Sequence, residues 1–408
     1  MNANNRKILI LHDYFLYKGG GERLIISLAK NLGADVATAF VAKDAFDPRA
    51  HGIKTFELFK ETIWTKIPGF RYVQVQLAFL FKTKFIKNYD IIIYSGDSLI
   101  AMIRAMGWRL LFKKHTPPFL PPLKVEGDNG QHLSSFPPLK GEGHRVGLRH
   151  IAYMHTPPRH LYDAYHERLR EYVLWKKIIF VPFAAFNRWR FKFLSKRLDL
   201  IITNSQNTRA RIKQYLGLDS VVVYPPCDTL PFKNLGCGDY FFSWARLYPI
   251  KRVDKIVEAF IGLPDKKLIV ASGGPELEKI KQMAAGHDNI KVLGWISDEE
   301  LVEYLGKCLA TIYIPIREDF GMSAVESMQA SKPVLGVAEG GLLEIIEDSK
   351  NGWLLKPEFN LDDLRAAIKP ITPELAQNMQ NYCQNTAKKF SEQAFIEGIK
   401  KHIFIHSA

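Results

Sequence analysis

Short runs rich in β-branched residues alternate with segments of helical periodicity along this chain, and the alternation occurs twice. In the first half the runs fall at residues 7–11, 90–94, 151–154 and 198–203, with a helical pattern at 22–32. The second half has runs at 240–243, 267–271, 290–293, 309–315 and 333–337, interleaved with helical patterns at 253–260, 276–284, 298–306 and after Ser323. This rhythm predicts parallel sheets, because parallel neighbours need a long crossover and a helix supplies it. The expected fold class is α/β, with two doubly wound domains. Ligands of such sheets collect outside the carboxyl ends of the strands.

A chain of 408 residues with 47% apolar residues can bury two cores of this kind. The expected division is residues 1–232, then 233–390, with 391–408 forming a C-terminal helix that packs back toward the first domain. The linker is placed at 228–239, where turn residues gather after Tyr224-Pro225-Pro226. Residues 115–148 interrupt the pattern with Pro, Gly and charge, and Pro121-Pro122-Leu123-Lys124 recurs as Pro137-Pro138-Leu139-Lys140. That composition predicts an inserted flexible loop outside either core.

The charge is uneven. Residues 1–235 hold 36 Lys and Arg against 18 Asp and Glu, a net of +18, whereas residues 236–408 hold 20 against 24, a net of −4. A front half this basic implies an anionic partner such as phospholipid, a lipid diphosphate or nucleic acid. Cys227, Cys237, Cys308 and Cys383 are too dispersed for a redox or zinc motif and are expected as reduced thiols. The longest apolar runs reach about half of the ~20 residues that a spanning helix needs. The expected location is the cytoplasm.

The densest chemistry lies at residues 317–328, where Glu318 and Glu326 flank Phe320-Gly321-Met322-Ser323. Glu318 is expected in the loop leaving a strand, and Ser323 as the N-cap of the following helix, with Glu326 in its first turn. Backbone N–H groups of residues 321–324 at a helix N-terminus suit a phosphate, and two carboxylates suit sugar hydroxyls. Arg246 and Lys251 sit in the loop after the strand at 240–243, where two cations could hold a diphosphate. Gly19-Gly20-Gly21 follows the first strand and permits close backbone approach to a phosphate or sugar. His155, directly after the run 151–154, is expected at a strand end facing the cleft. Gly340-Gly341 and Gly273-Gly274 mark further turns into helices.

Taken in order, these residues resemble the retaining glycosyltransferases of family 4. The resemblance implies the GT-B fold of two Rossmann-like domains facing a cleft. Arg246 and Lys251 match the family's motif for the donor diphosphate, with Ala245 where glycine is usual. Glu318, Phe320, Gly321 and Glu326 match its Glu-x7-Glu motif, in which the first Glu faces the donor sugar and the second the nucleotide ribose. Asp319 stands where glycine is frequent. Gly20 and Gly21 match the glycine loop near the donor phosphate and acceptor. His155 is preferred over the duplicate at His115-Thr116-Pro117-Pro118, because an apolar strand precedes it and Arg159-His160-Leu161-Tyr162-Asp163 follows it. The segments 153–157, 204–205 and 224–229 look like the bacterial branch that builds surface polysaccharides.

The resemblance thus implies catalytic roles for Glu318, His155, Arg246 and Lys251. It implies donor binding by Gly20, Gly21, Arg246, Lys251, Phe320, Gly321, Met322, Ser323 and Glu326, with no metal and no cofactor. The expected partners are a nucleotide-diphosphate sugar, GDP-mannose first, and a lipid-linked glycan acceptor, with no nucleic acid. Residues 168–197 interleave Trp175, Phe180, Phe183, Phe186, Trp189, Phe191 and Phe193 with Lys and Arg, which predicts an anionic membrane surface as a further partner at the inner face of the cytoplasmic membrane. Two rival readings are a nucleotide-sugar epimerase of the same fold and a basic nucleic-acid-binding protein.

Overall fold

The computed structural model describes residues 6–17, 19–107, 148–227 and 230–404. The insert expected at 115–148 lies outside them except for its last residue, as do His115 and the linker residues 228 and 229.

The first half forms a seven-stranded sheet in the order β3-β2-β1-β4-β5-β6-β7, with each neighbouring pair parallel. Its strands are β1 (Ile8–His12), β2 (Asp35–Thr38), β3 (Thr55–Glu57), β4 (Ile91–Ser95), β5 (Arg149–Met154), β6 (Leu200–Thr203) and β7 (Val221–Val222). The helices between them are α1 (Gly20–Leu32), α2 (Pro68–Phe81), α3 (Ala101–Met106), α4 (Tyr165–Glu171), α5 (Leu174–Ser195) and α6 (Gln206–Leu216). The central strand Ile-Ile-Ile-Tyr-Ser of β4 is buried at every position, as a parallel strand covered on both faces must be.

The second half forms a six-stranded parallel sheet in the order β10-β9-β8-β11-β12-β13. Its strands are β8 (Tyr240–Ser243), β9 (Lys267–Ala271), β10 (Ile290–Gly294), β11 (Ala310–Tyr313), β12 (Val334–Val337) and β13 (Gly352–Leu355). The helices are α7 (Val253–Ile261), α8 (Leu277–Ala284), α9 (Asp298–Lys307), α10 (Met322–Gln329), α11 (Leu361–Ile368), α12 (Pro373–Asn378) and α13 (Gln380–Lys388). The last helix, α14 (Glu392–Phe404), places Phe395, Ile396, Ile399 and Ile403 in a core cluster with β1 and α1 of the first sheet.

The alternation in the sequence therefore yields the expected two parallel sheets, but many elements carried no mark there, among them the strands β2, β3, β7 and β13 and the helices α2, α3, α6 and α11 to α13. The strands are two to four residues long, too short for a period to show. In α2 the outward face is itself apolar, which hides the helical stripe. Among the described residues the four cysteines are free thiols, three buried and Cys237 half-buried. No helix among them is long and apolar enough to cross a membrane.

Candidate functional site

The carboxyl ends of the two sheets face each other, and the sequence-predicted residues lie on the loops there. On the second sheet, β11 leads through Arg317 to Glu318. The glycines at 340 and 341 lie against this loop: a Cβ on Gly340 would collide with the Glu318 carbonyl, and one on Gly341 with Phe320. Gly340 also takes φ +64°, so the turn needs glycine for both reasons. Glu318 Oε2 lies 2.6 Å from Lys251 Nζ, and the Tyr313 hydroxyl donates to the same oxygen at 2.8 Å. Burial beside this carboxylate pushes the Tyr313 phenol well above its usual range.

The helix after Glu318 begins differently from the expectation. Gly321 is the N-cap, at φ 110°, and Ser323 is already inside α10. A serine hydroxyl cap needs an extended backbone at its own position, whereas here the chain enters through a left-handed glycine. The Ala324 N–H donates to the Gly321 carbonyl at 2.9 Å, so it is not among the groups left for an anion. Glu326 lies two positions further into the helix than expected, where the Trp244 indole hydrogen-bonds it. Withdrawal from water raises its carboxyl to about 7, against the pull of Arg23.

Arg246 reaches across the cleft. Its guanidinium lies over the Tyr17 ring at 4.7 Å, and a Cβ on Gly19 would stand 3.1 Å from Nη2 and 2.6 Å from Glu22 Oε2. Burial raises the Glu22 carboxyl, with Arg246 opposing the rise. A Cβ on Gly20 would stand 2.6 Å from Met322 Sδ, so the turn lies directly against the end of that side chain. A Cβ on Gly21 meets nothing within 4 Å. Ala245 is buried, packs in the second core and is not among the described residues of positive φ, so its methyl group disturbs no turn.

His155 stands at the end of β5. Its Nε2 is 3.4 Å from Ser95 Oγ at the end of β4, and Ser95 Oγ is 3.2 Å from His12 Nδ1 at the end of β1. Burial holds the His155 imidazole down to about 4 and that of His12 to about 3, with His155 lowering the latter further. Both rings are therefore neutral near pH 7.

Further residues join the halves, of which Asn207, Arg211 and Asp298 carried no sequence signal. Ser205, the N-cap of α6, donates to the Asp319 carbonyl at 2.6 Å, and Asn207 Nδ2 donates to the Glu318 carbonyl at 3.1 Å. The Glu344 carboxylate accepts from the N–H groups of Gln206 and Asn207 at 2.8 and 2.9 Å, an anion on a helix N-terminus. Arg211 on α6 pairs with Asp163 and with Asp319. Desolvation nevertheless pushes the Asp319 carboxyl up to about 6, against Arg211 and Arg159. Arg23 on α1 pairs with Asp298 of α9 at 3.1 Å. Asp319, set where glycine is frequent, is thus a cross-cleft ion partner. Asp163, Asn207, Arg211, Tyr215, Arg317 and Glu339 line a cavity of about 360 Å³ at this junction.

Residues 236–390 match the family model described as glycosyl transferases group 1. An uncharacterized glycosyltransferase of Methanocaldococcus jannaschii is 29% identical over 219 residues, covering 52% of this chain and 62% of that protein. The alpha-1,3/1,6-mannosyltransferase ALG2 of Homo sapiens is 27% identical over 253 residues, covering 53% of this chain and 60% of that protein. The chain thus spans about 60% of the length of these curated relatives. Among solved structures, Anabaena HepE in complex with UDP and glucose superposes with a TM-score of 0.66 at 18% identity over 98% of this chain and 99% of that one. Sucrose-phosphate synthase of Thermosynechococcus elongatus superposes with 0.70 at 16% identity over 99% and 100%. These likenesses show the fold, which is GT-B.

Proposed function

We propose that the chain is a retaining, metal-independent hexosyltransferase that moves a sugar from a nucleotide diphosphate to a lipid-linked glycan in bacterial envelope synthesis. The observation that carries the reading is the convergence, across one cleft, of the Lys251–Glu318 pair, Arg246 at the Gly19-Gly20 turn and the N-terminus of α10 against Gly20. The match of residues 236–390 to the group 1 family supports it. ALG2, named a mannosyltransferase, supports mannose as the first sugar to test, and GDP-mannose as the first donor. The relatives above are named as glycosyltransferases, which favours transfer over the epimerase reading.

In this reading Arg246, Lys251 and the first N–H groups of α10 take the charge that develops on the leaving diphosphate, where preorganised donors act without reorganisation. Phe320, Gly321, Met322 and Ser323 shape that wall. Glu326 meets the ribose hydroxyls. Glu318 and His155 orient the hexose near its anomeric carbon. The acceptor hydroxyl attacks from the face that the diphosphate leaves, and a diphosphate oxygen receives its proton. The enzyme works at the inner face of the cytoplasmic membrane, where its acceptor is held.

A screen of nucleotide sugars for nucleoside diphosphate release with a lipid-diphosphate acceptor, followed by NMR of the glycan, tests this. The expected result is acceptor-dependent release, unchanged by EDTA, with the anomeric configuration of the donor kept. An inverted linkage, metal dependence, or conversion of the sugar without acceptor overturns it.

A further inference from the structure

Two helices of the first half pack side by side on one face of its sheet. Val75, Ala78 and Phe79 of α2 and Phe191 and Leu194 of α5 belong to the same core cluster, which includes Leu9, Leu11 and Ile92 of the sheet. A polar seam joins the helices: the Tyr72 hydroxyl donates to Asn187 Oδ1 at 2.8 Å, Arg190 donates to Gln76 and Tyr72, and the Tyr72 and Phe183 rings meet edge to face at 5.5 Å. With their inner faces committed to one core, the outer faces of both helices lie on the same side of the molecule.

Those outer faces are apolar. Phe70, Val73, Leu77 and Phe81 run along α2, and Ile63, Trp64 and Ile67 extend the row in the turn before it. On α5, Trp175, Ile178, Ile179, Phe186 and Trp189 are exposed, Trp175 by 61% and Ile178 by 66%. Monomers rarely leave apolar patches of this extent open to water. The sequence pattern at 168–197 holds only in part: Phe191 and Arg190 are buried, whereas Trp175, Phe186 and Trp189 face outward. The α2 half of the surface had no sequence signal.

Cations surround the rows. Residues 60–87 carry six Lys and Arg against one Glu, and residues 165–197 carry nine against two, a net of +12 for the two segments in a chain of net +14. Lys66, Lys82, Lys176, Lys192 and Lys196 are exposed. A second copy of the chain would set this charge against itself. Nucleic acid would leave rows of Ile, Leu and Val in water. Aromatic and aliphatic side chains rimmed by cations match the interface of an anionic bilayer, where the rings sit at headgroup level and the cations at the phosphates.

From this we infer that α2, the turn before it and α5 form one interfacial platform that seats the protein on anionic lipid. The inference rests on the lipid-linked acceptor proposed above and adds the orientation: the first sheet's helical face lies on the membrane. Tyr72 meets His160 edge to face at 6.2 Å, and Arg188 lies 4.1 Å over Tyr165, so the platform adjoins the segment that runs from His155 to α4. Lipid-held acceptors would thus arrive on the His155 side of the cleft.

Co-sedimentation of the full chain with phosphatidylglycerol-containing vesicles and with pure phosphatidylcholine vesicles, across a salt series, tests the platform. Three variants accompany it: Phe70→Ser with Leu77→Ser on α2, Trp175→Ser with Ile178→Ser on α5, and Lys66→Glu with Lys176→Glu. The expected result is salt-sensitive binding to anionic vesicles alone. Each charge removed should weaken it about fivefold, and either apolar pair roughly tenfold or more, with melting temperature and transfer to a water-soluble acceptor unchanged. Equal binding to both vesicles, no binding to either, loss on one helix only, or wild-type dimers that the apolar variants dissolve would overturn it. Vesicle binding without sugar transfer would instead overturn the transferase reading and leave the platform standing.

Discussion

Lys251 and Glu318 form an ion pair, with Nζ 2.6 Å from Oε2 and the Tyr313 hydroxyl 2.8 Å from each group. The two residues stand 67 positions apart, on loops after β8 and β11, neighbouring parallel strands of the second sheet. The cation proposed to hold the diphosphate and the carboxylate proposed to face the hexose thus hold one another. A donor phosphate arriving at Lys251 would take over part of that charge and release Glu318 toward the sugar.

Exchange of partners at this pair gives different kinetics for its two members. Lys251→Ala should lower turnover by about 10²–10³, the range for losing one preorganised donor. Glu318→Gln, which keeps shape but removes the charge near the reacting carbon, should lower turnover far more than donor affinity. Steady-state kinetics with titration of the nucleoside diphosphate separate the cases. Turnover within threefold of wild type for both variants excludes the pair from the reaction.

The close approach of Gly20 to Met322 should appear as coupling. Gly20→Ala puts a methyl group 2.6 Å from the Met322 sulfur, so the Met322 thioether must move aside and change the wall between α10 and the glycine turn. Donor affinity should fall about tenfold, and Met322→Ala should restore most of it in the double variant, an interaction energy of about 1 kcal/mol. Additive losses would mean that the two residues act separately.

Arg211 is set to hold the halves together, because removing it takes the ion pair from Asp319 and leaves Asp163 with Arg159 alone, at 3.0 Å. The side chains keep 11%, 10% and 23% of their exposure. Partial solvation therefore limits the loss for Arg211→Gln to about 1–3 kcal/mol. A urea melt reads the stability, and a raised donor KM reads the looser cleft. Unchanged values in both would show that Ser205, Asn207 and Glu344 suffice.

Acid and base should each weaken the fold through named groups. His12 and His155 have folded-state values of about 3 and about 4 against 6.5 unfolded, so the unfolded chain binds more protons in that window. Their contribution is complete above 6.5 and is lost as pH falls through 4 and 3. Glu326 runs the other way: at about 7 against 4.5, the folded chain binds the extra proton, and its contribution is lost as pH rises through 7. Chemical melts from pH 4 to 8 should show the decline toward pH 8 reduced in Glu326→Gln. The decline toward pH 4 should be reduced in His12→Asn. Parallel profiles for wild type and variants would contradict both assignments.

Much of the fold was legible because a parallel strand covered on both faces is an uninterrupted apolar run, and the helices between such runs keep their stripe. That signal is local, so it located β4, β8 and β9 within a residue or two and missed β2, β3 and β7, which are strands only because a neighbour pairs with them. The placement of Glu318, Arg246, Lys251 and His155 was also legible, since their loops follow strands whose carboxyl ends the topology turns to one side. Ser323 was misread as a cap because residue type suggests a hydroxyl but does not report the backbone angle of Gly321.

By itself, then, the sequence determined two parallel sheets, the loops that carry the charged and glycine residues, and a basic first half. Only the tertiary structure decided that Lys251 pairs with Glu318, that Arg211 closes on Asp319, that Ser95 links His12 to His155, and that α2 and α5 turn their apolar rows to the same side. The physical reason is that hydrophobic periodicity is written between residues a few positions apart. A salt bridge or a shared surface depends on distances between elements, which are fixed by how whole sheets and helices pack.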